Sequence, residues 1–199
     1  MPPSNPPYQI VALVERTDAW WAWRRGGIGS ADAATALGEK WAKSTERLLY
    51  EKQHPPKDSG RHFVRARGAA FERAARAHYV LAVGFPVEPT CVQSLARPWQ
   101  RASLDGLSAD GARVVEIKCG LATYQSAVAR RRPPRHHVAQ LQHILAVTGL
   151  PVLDYWCHCP PHPPLRLEVR RDDAYIERLL AAEEIFWQRF MVTSETQPL

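Results

Sequence analysis

The stretch Ala102-Ser103-Leu104-Asp105-Gly106, followed by Val114-Val115-Glu116-Ile117-Lys118-Cys119, decides how this chain is read. Between its halves lies Asp110-Gly111, a dipeptide suited to a two-residue hairpin turn, because both central positions of a type I′ turn need φ > 0. A hairpin centred there pairs residues equidistant from the turn, and Asp105 and Glu116 are such a pair. Their Cβ atoms would then lie about 5 Å apart. Two carboxylates that close repel each other unless a cation sits between them. A hard divalent ion such as Mg²⁺ is the natural occupant. Lys118 lies two residues beyond Glu116 and shares its face of the strand. Its ammonium can offset the carboxylates, position a water or, with a lowered pKa, help deprotonate that water. Ile117 points to the core, leaving its carbonyl free to help ligate the ion. An ordinary hairpin carrying a surface ion cluster fits the same spacing, so the rest of the chain has to decide.

Outward from the hairpin, the period of the apolar residues changes. Arg61 to Val83 is Ala-rich and helix-compatible, and it stops before Gly84 and Pro86. Val87 to Cys119 reads as short strands. His137 to Thr148 carries Val138, Leu141, Leu145 and Thr148 along one helical stripe, with Gly149 as the stop. Val152 to Cys157 and Leu165 to Val169 read as strands. Asp172 to Met191 places Ile176, Leu179, Leu180, Phe186, Trp187 and Phe190 on one side of a helix. Prolines punctuate the loops at Gln53 to Gly60, Arg130 to Arg135 and His158 to Pro164. The expectation is one mixed α/β domain over residues 10–192, with a flexible Pro-rich arm over 1–9 (Met1 to Tyr8 in particular) and a frayed tail over 193–199.

Composition narrows the function classes. The 199 residues are 45% hydrophobic and include seven Trp, enough to bury a sizeable core. No apolar run approaches the ~18 residues a membrane span needs, and no signal peptide opens the chain, so the expected location is the cytoplasm. Lys and Arg number 26 against 20 Asp and Glu, a net charge of +6 that favours a polyanionic partner such as nucleic acid. Arg130, Arg131, Arg132 and Arg135, with Lys40, Lys43, Arg61, Arg65 and Arg67, could line a DNA track, or simply form a solvated face. The four cysteines are expected to be reduced and buried rather than paired. Cys157, Cys159 and His162 lack a convincing fourth ligand for zinc. Trp20, Trp21 and Trp23 read as core or interface aromatics.

Four blocks, in order over roughly residues 20 to 190, resemble the PD-(D/E)xK nuclease superfamily, and within it the lambda exonuclease or YqaJ-type viral recombinase family. They are Trp23-Arg24-Arg25-Gly26-Gly27-Ile28-Gly29-Ser30-Ala31-Asp32, then Arg67-Gly68-Ala69-Ala70-Phe71-Glu72, then Ser103-Leu104-Asp105-Gly106 with Glu116-Ile117-Lys118-Cys119, and last Ala139-Gln140-Leu141-Gln142 ahead of Thr148-Gly149. The resemblance implies a restriction-endonuclease-like core, a central mixed β-sheet flanked by helices. It implies two Mg²⁺ ions, with Mn²⁺ able to substitute. Asp105, Glu116 and the Ile117 carbonyl would bind one ion, and Glu72 a second ion or its water. Lys118 would orient the attacking water, and Gln140 would contact water or the scissile phosphate.

In this likeness the first block makes a pocket for a terminal 5′-phosphate from an Arg and a Ser. Arg24 has the matching spacing and Arg25 is adjacent, but the family's Ser-Asp pair reads Ala31-Asp32 here, with Ser30 one place early. Ser103 is a second candidate hydroxyl, and Ser30 also fits a helix N-cap. His137, one turn before Gln140, could contact phosphate. The implied activity is a 5′-to-3′ exonuclease on double-stranded DNA ends that releases mononucleotides and leaves a 3′ single strand. A ring-shaped homotrimer and a single-strand annealing protein as partner in phage-type recombination are also implied. Other readings are a restriction or repair endonuclease on the same fold, a DNA-binding module, and an RNA substrate.

Overall fold

A computed structural model describes residues 6–54 and 62–195, with side chains over 6–54 and 70–194. Met1 to Asn5, residues 55–61 and residues 196–199 lie outside the described residues, as do the side chains of Arg65 and Arg67. The element order is β1 (Tyr8–Val11), α1 (Asp18–Arg25), β2 (Ile28–Gly29), a 3₁₀ turn (Ser30–Asp32), α2 (Ala33–Ala36), α3 (Thr45–Gln53), α4 (His62–Val83), β3 (Glu88–Ser94), β4 (Gln100–Leu107), β5 (Val114–Cys119), α5 (Leu121–Arg130), α6 (Arg135–Thr148), β6 (Val152–His158), β7 (Leu165–Arg170) and α7 (Asp173–Glu195). The strands form one sheet in the order β1-β3-β4-β5-β6-β7, with β2 paired to β4. β5 and β6 run parallel, as do β2 and β4, and the other pairs are antiparallel. The expected mixed sheet flanked by helices is therefore observed.

The two faces of β5 explain why its sequence alternates so little. Val114 joins a core with Leu104, Leu141, Leu145 and Tyr155, under α6. Val115 and Ile117 join a second core with Ala75, Tyr79 and Trp156, under α4. A strand covered on both sides reads as a near-continuous apolar run, and the charged residues that interrupt this one are Glu116 and Lys118.

The hairpin keeps the expected register by a different turn. Ser108 and Arg113 close a four-residue loop (Ser108 N to Arg113 O, 3.0 Å), not a two-residue one, and of its residues Gly111 has positive φ, +68°. Asp110 instead accepts bonds from Ser108 Oγ and the Ala112 amide. Both loops share one centre, so Gly106 still pairs with Val115 and Leu107 with Val114. On the other side of β4 the register with β3 slips: Glu88 pairs with Leu107 but Thr90 with Leu104. Asp105 and Gly106 thus stand opposite the single residue Pro89, a β-bulge, which bends a strand and re-aims its side chains. Gly106 is required there, because a Cβ would lie 2.6 Å from Val87 Cγ2 and 2.8 Å from Val115 Cγ1.

Several boundaries differ from expectation. Tyr8 is not in a flexible arm: it opens β1, pairs with Ser94 and is buried. The tail is helical through Glu195, and Thr193 accepts a bond from Gln53 Nε2 at 2.8 Å. The helices α1, α3 and α5 were not anticipated, since each is too short to repeat an apolar stripe over several turns. Cys119 is exposed at its strand end rather than buried, whereas Cys91 and Cys157 are buried. Among the described residues no helix is long and apolar enough to cross a membrane.

The C-terminal helix is tied to the sheet by a buried polar knot. His143 on α6 is fully buried, with Nδ1 2.6 Å from Glu183 Oε1 and Nε2 donating to the Arg101 carbonyl at 2.9 Å. Gln100 Nε2 donates to the other Glu183 oxygen. Burial opposes charge on the ring, but Glu183 outweighs it and raises the His143 pKa. Protonated His143 therefore stabilises the fold below the ordinary histidine pKa, and that contribution fades as pH rises through the raised value. Glu183→Ala should cost about 3–5 kcal/mol at pH 6, as breaking a buried pair does. Urea unfolding at several pH values should show this penalty shrinking at high pH.

Candidate active site

Where β4 and β5 diverge beyond Gly106 and Val115, the Asp105 side chain replaces the missing backbone ladder. Asp105 Oδ2 accepts the Ile117 amide at 2.7 Å, and its carbonyl, freed at the bulge, accepts Arg76 Nε at 2.6 Å. Because a strand residue's N–H and C=O point to the same side, the Ile117 carbonyl faces the same gap. Glu116, on the α6 side of β5, is 2% exposed. Its Oε1 accepts both Lys118 Nζ and Gln140 Nε2 at 2.6 Å, while Lys118 also donates to Gln140 Oε1 at 3.1 Å. The Asp105, Glu116 and Lys118 side chains are thus brought together as the spacing predicts, and Gln140, expected from the resemblance, stands with them.

They line a cleft of about 190 Å³ whose other walls include Glu15, Arg16, Trp20, Arg24, Ser30 and Glu72. Burial, then repulsion from Glu116, raises the Asp105 pKa well above the usual carboxylate range. Lys118 moves the other way from the base reading: burial opposes its charge, yet Glu116 and Asp105 raise its pKa, and it stays an ammonium. Asp105 Oδ1 and Glu116 Oε2 have no protein partner among the described residues. Two adjacent carboxylates, Glu116 buried and Asp105 half-buried, with free oxygens beside a main-chain carbonyl fit a hard divalent cation. A cluster of three or more His, Cys, Asp and Glu ligands is not assembled among the described residues. Glu72, the expected further ligand, is turned to Arg16, whose Nη2 lies 2.5 Å from its Oε2.

The residues expected to hold a phosphate divide. The Arg24 guanidinium stacks 4.6 Å over the Trp20 ring, and Ser30 and Ser103 both line the cleft. Ser103 Oγ accepts the Trp20 indole N–H at 3.0 Å. Ser30 is not a helix N-cap: Gly29 caps the 3₁₀ turn, and Asp32 at the third position of that turn reaches back, its Oδ2 accepting the Gly29 amide at 3.1 Å. Arg25 does not line the cleft. Nor does His137: its Nδ1 is 2.7 Å from the Tyr155 hydroxyl, and burial together with the Lys118 charge pushes its pKa down to about 3, so it is neutral. Gln142 is structural, donating to the Arg170 carbonyl and accepting the Asp172 amide. The exposed guanidinium of Arg135 lies 5.0 Å from the Trp41 ring, and Lys43 is paired with Glu51.

Sequence reasoning missed three residues here. Glu15 and Arg16 come from a loop with no periodic signal. Lys52 did leave a signal, a lysine four residues after Leu48 on an apolar stripe, and it lies buried beneath the Arg24–Asp32 segment.

The family model of the YqaJ-like viral recombinase domain matches residues 19–151. No curated protein sequence matches the chain. Among solved structures, an alkaline exonuclease (LHK-Exo) from Laribacter hongkongensis is 23% identical, with a TM-score of 0.77 over 90% of this chain and 95% of that one. The same enzyme in complex with dAMP gives the same values. A phage-related exonuclease from Haemophilus somnus 129PT is 10% identical, with a TM-score of 0.57 over 86% of this chain and 96% of that one. At these identities the structural likeness establishes a shared fold.

The raised Asp105 pKa makes a stability prediction. The folded state holds a proton there that the unfolded chain releases near pH 4, so this group destabilises the fold increasingly as pH rises toward its raised pKa. Asp105→Asn keeps an oxygen for the Ile117 amide and removes the charge. In cation-free buffer at pH 8 it should raise the melting temperature by about 2–4 °C, roughly 1 kcal/mol, and the gain should vanish at pH 4. Scanning calorimetry at the two pH values checks this.

Proposed function

Because the chain belongs to the YqaJ-like viral recombinase domain family, we propose that the cleft is the active site of a divalent-metal-dependent exonuclease working 5′ to 3′ from duplex DNA ends. The observation that carries this reading is the pair of adjacent carboxylates, half-buried Asp105 and buried Glu116, beside the Lys118–Gln140 hydrogen bonds. Asp105, Glu116 and the Ile117 carbonyl would hold the ion, Mg²⁺ by preference. A divalent ion in such a site supplies Lewis-acid stabilisation of charge on the phosphodiester and makes water easier to deprotonate.

The chain's own residues do the rest. Lys118, fixed from two sides by Glu116 and Gln140, presents its ammonium to the attacking water and offsets charge on the phosphate. Arg24, held over Trp20, offers a planar donor pair to a terminal 5′-phosphate, with Ser30 and Ser103 as neighbouring hydroxyls. Arg16 occupies Glu72 in this arrangement. A substrate phosphate that draws Arg16 away would leave Glu72 free to hold a second ion. Attack in line with the 3′ oxygen leaving yields 5′-mononucleotides, the chemical class of the dAMP bound by LHK-Exo. The remaining 3′ strand suits a single-strand annealing partner in recombination.

Linear duplex DNA incubated with the protein and Mg²⁺ should release acid-soluble mononucleotides, and closed circular DNA should stay intact. Lys118→Ala should slow release by about 10²- to 10³-fold, the scale for losing one preorganised charge-stabilising donor. Cutting of the circle would assign an endonuclease instead, and activity undiminished by EDTA or by Lys118→Ala would remove this reading.

A further inference from the structure

The segment that carries Arg24 and Ser30 is wound around one buried ammonium. Lys52, on α3, is 8% exposed and sits on the apolar stripe with Leu48 and Leu49. Its Nζ donates to the Gly27 carbonyl at 2.5 Å, to Asp32 Oδ2 at 2.8 Å and to the Arg24 carbonyl at 3.4 Å. An ammonium has three donors and no acceptor, so all three are used. Asp32 Oδ2 accepts the Gly29 amide as well, which closes the wrap. Burial works against a charged Asp32, but Lys52 and then Arg24 hold its pKa below the usual value, so Asp32 is a carboxylate.

Packing alone does not call for a charge here. A leucine or methionine would continue the Leu48–Leu49 stripe without the desolvation that burying an ammonium costs. What a lysine adds is geometry: three acceptors from Arg24, Gly27 and Asp32 are pinned to one point. Gly27 is drawn in so closely that a Cβ would lie 2.6 Å from the Trp99 carbonyl and from Arg101 Cδ. The Arg24 side chain and Ser30 leave this wrap on the cleft side, while Lys52 itself does not line the cleft. A bidentate guanidinium contact depends on placement to within a fraction of an ångström.

We propose that Lys52 is a positioning residue for recognition of the 5′-terminal phosphate: it sets the backbone from which Arg24 and Ser30 reach the cleft, and through it the preference for phosphorylated ends. This rests on the reading of the cleft as a nuclease site with a 5′-phosphate pocket. The reacting centre at Asp105, Glu116 and Lys118 is carried on other strands and shares no hydrogen bond with Lys52.

The test compares initial rates of nucleotide release from linear duplexes with 5′-phosphate and 5′-hydroxyl ends, using the full chain and Mg²⁺. Wild type should prefer the phosphate. Lys52→Met should slow phosphorylated ends about tenfold more than hydroxyl ends, the worth of one charge-assisted hydrogen bond. The Lys52→Met, Asp32→Asn double variant leaves no unpaired buried charge, so it should regain thermal stability without regaining the preference. If Lys52→Met does not fold, Lys52→Gln, which keeps two donors for the carbonyls, carries the same comparison. A folded variant that keeps the wild-type preference, or one that slows both ends equally, overturns the positioning role and leaves the nuclease reading intact. A wild type indifferent to the 5′ group removes the phosphate pocket and this inference with it.

Discussion

The bond from the Ile117 amide to Asp105 Oδ2 is the constraint on which the rest of the site depends. It exists because the sheet is broken in a controlled way. A bulge at Asp105–Gly106 ends the pairing with β5, and the strand edge that is exposed needs a new partner for its amide. Asp105 supplies that partner, and in doing so brings a half-buried carboxylate beside the buried Glu116. Gly106 makes the bend possible, since no side chain fits between Val87 and Val115. The same event that satisfies a backbone donor therefore creates an unfavourable pair of charges, and the favourable use of such a pair is to hold a cation.

Around that pair the structure invests in fixed polar geometry rather than in apolar packing. Lys118 is held by two acceptors, Arg24 by an indole ring, and the segment beneath Arg24 by the buried ammonium of Lys52. Four carboxylates, from Glu15, Glu72, Asp105 and Glu116, meet Arg16, Arg24 and Lys118 across one small cleft. These residues rest on two kinds of support. The acids of the reacting centre come from sheet strands clamped between two cores, while Glu15 and Arg16 come from a loop whose backbone at Arg16 has φ of +70°. A rigid centre faced by a loop suits a site that must admit a chain end.

Much of this was legible in the sequence because it rests on local rules. The hairpin register followed from the centre of its turn, and the mistaken turn type did no harm because a four-residue loop about the same centre leaves every pair unchanged. The α6 stripe and its Gly149 stop follow from helical periodicity and a left-handed cap, and they deliver Gln140 to Glu116. What could not be read depends on contacts between distant segments. Nothing near His137 signals that Tyr155 will take its ring. Nothing near Glu72 signals Arg16, and the bulge that aims Asp105 is visible only in how β3 meets β4. Lys52 is intermediate: its place on an apolar stripe was a clue, but its three acceptors lie some 20 to 28 residues away.

Asp105, Glu116 and the Ile117 carbonyl together make the proposed divalent-cation site. Anomalous diffraction from crystals soaked in Mn²⁺ tests it directly. The expected result is a peak bounded by those three groups, absent from the same soak of Glu116→Gln. A peak elsewhere, or none at a Mn²⁺ concentration that supports cleavage, would contradict it.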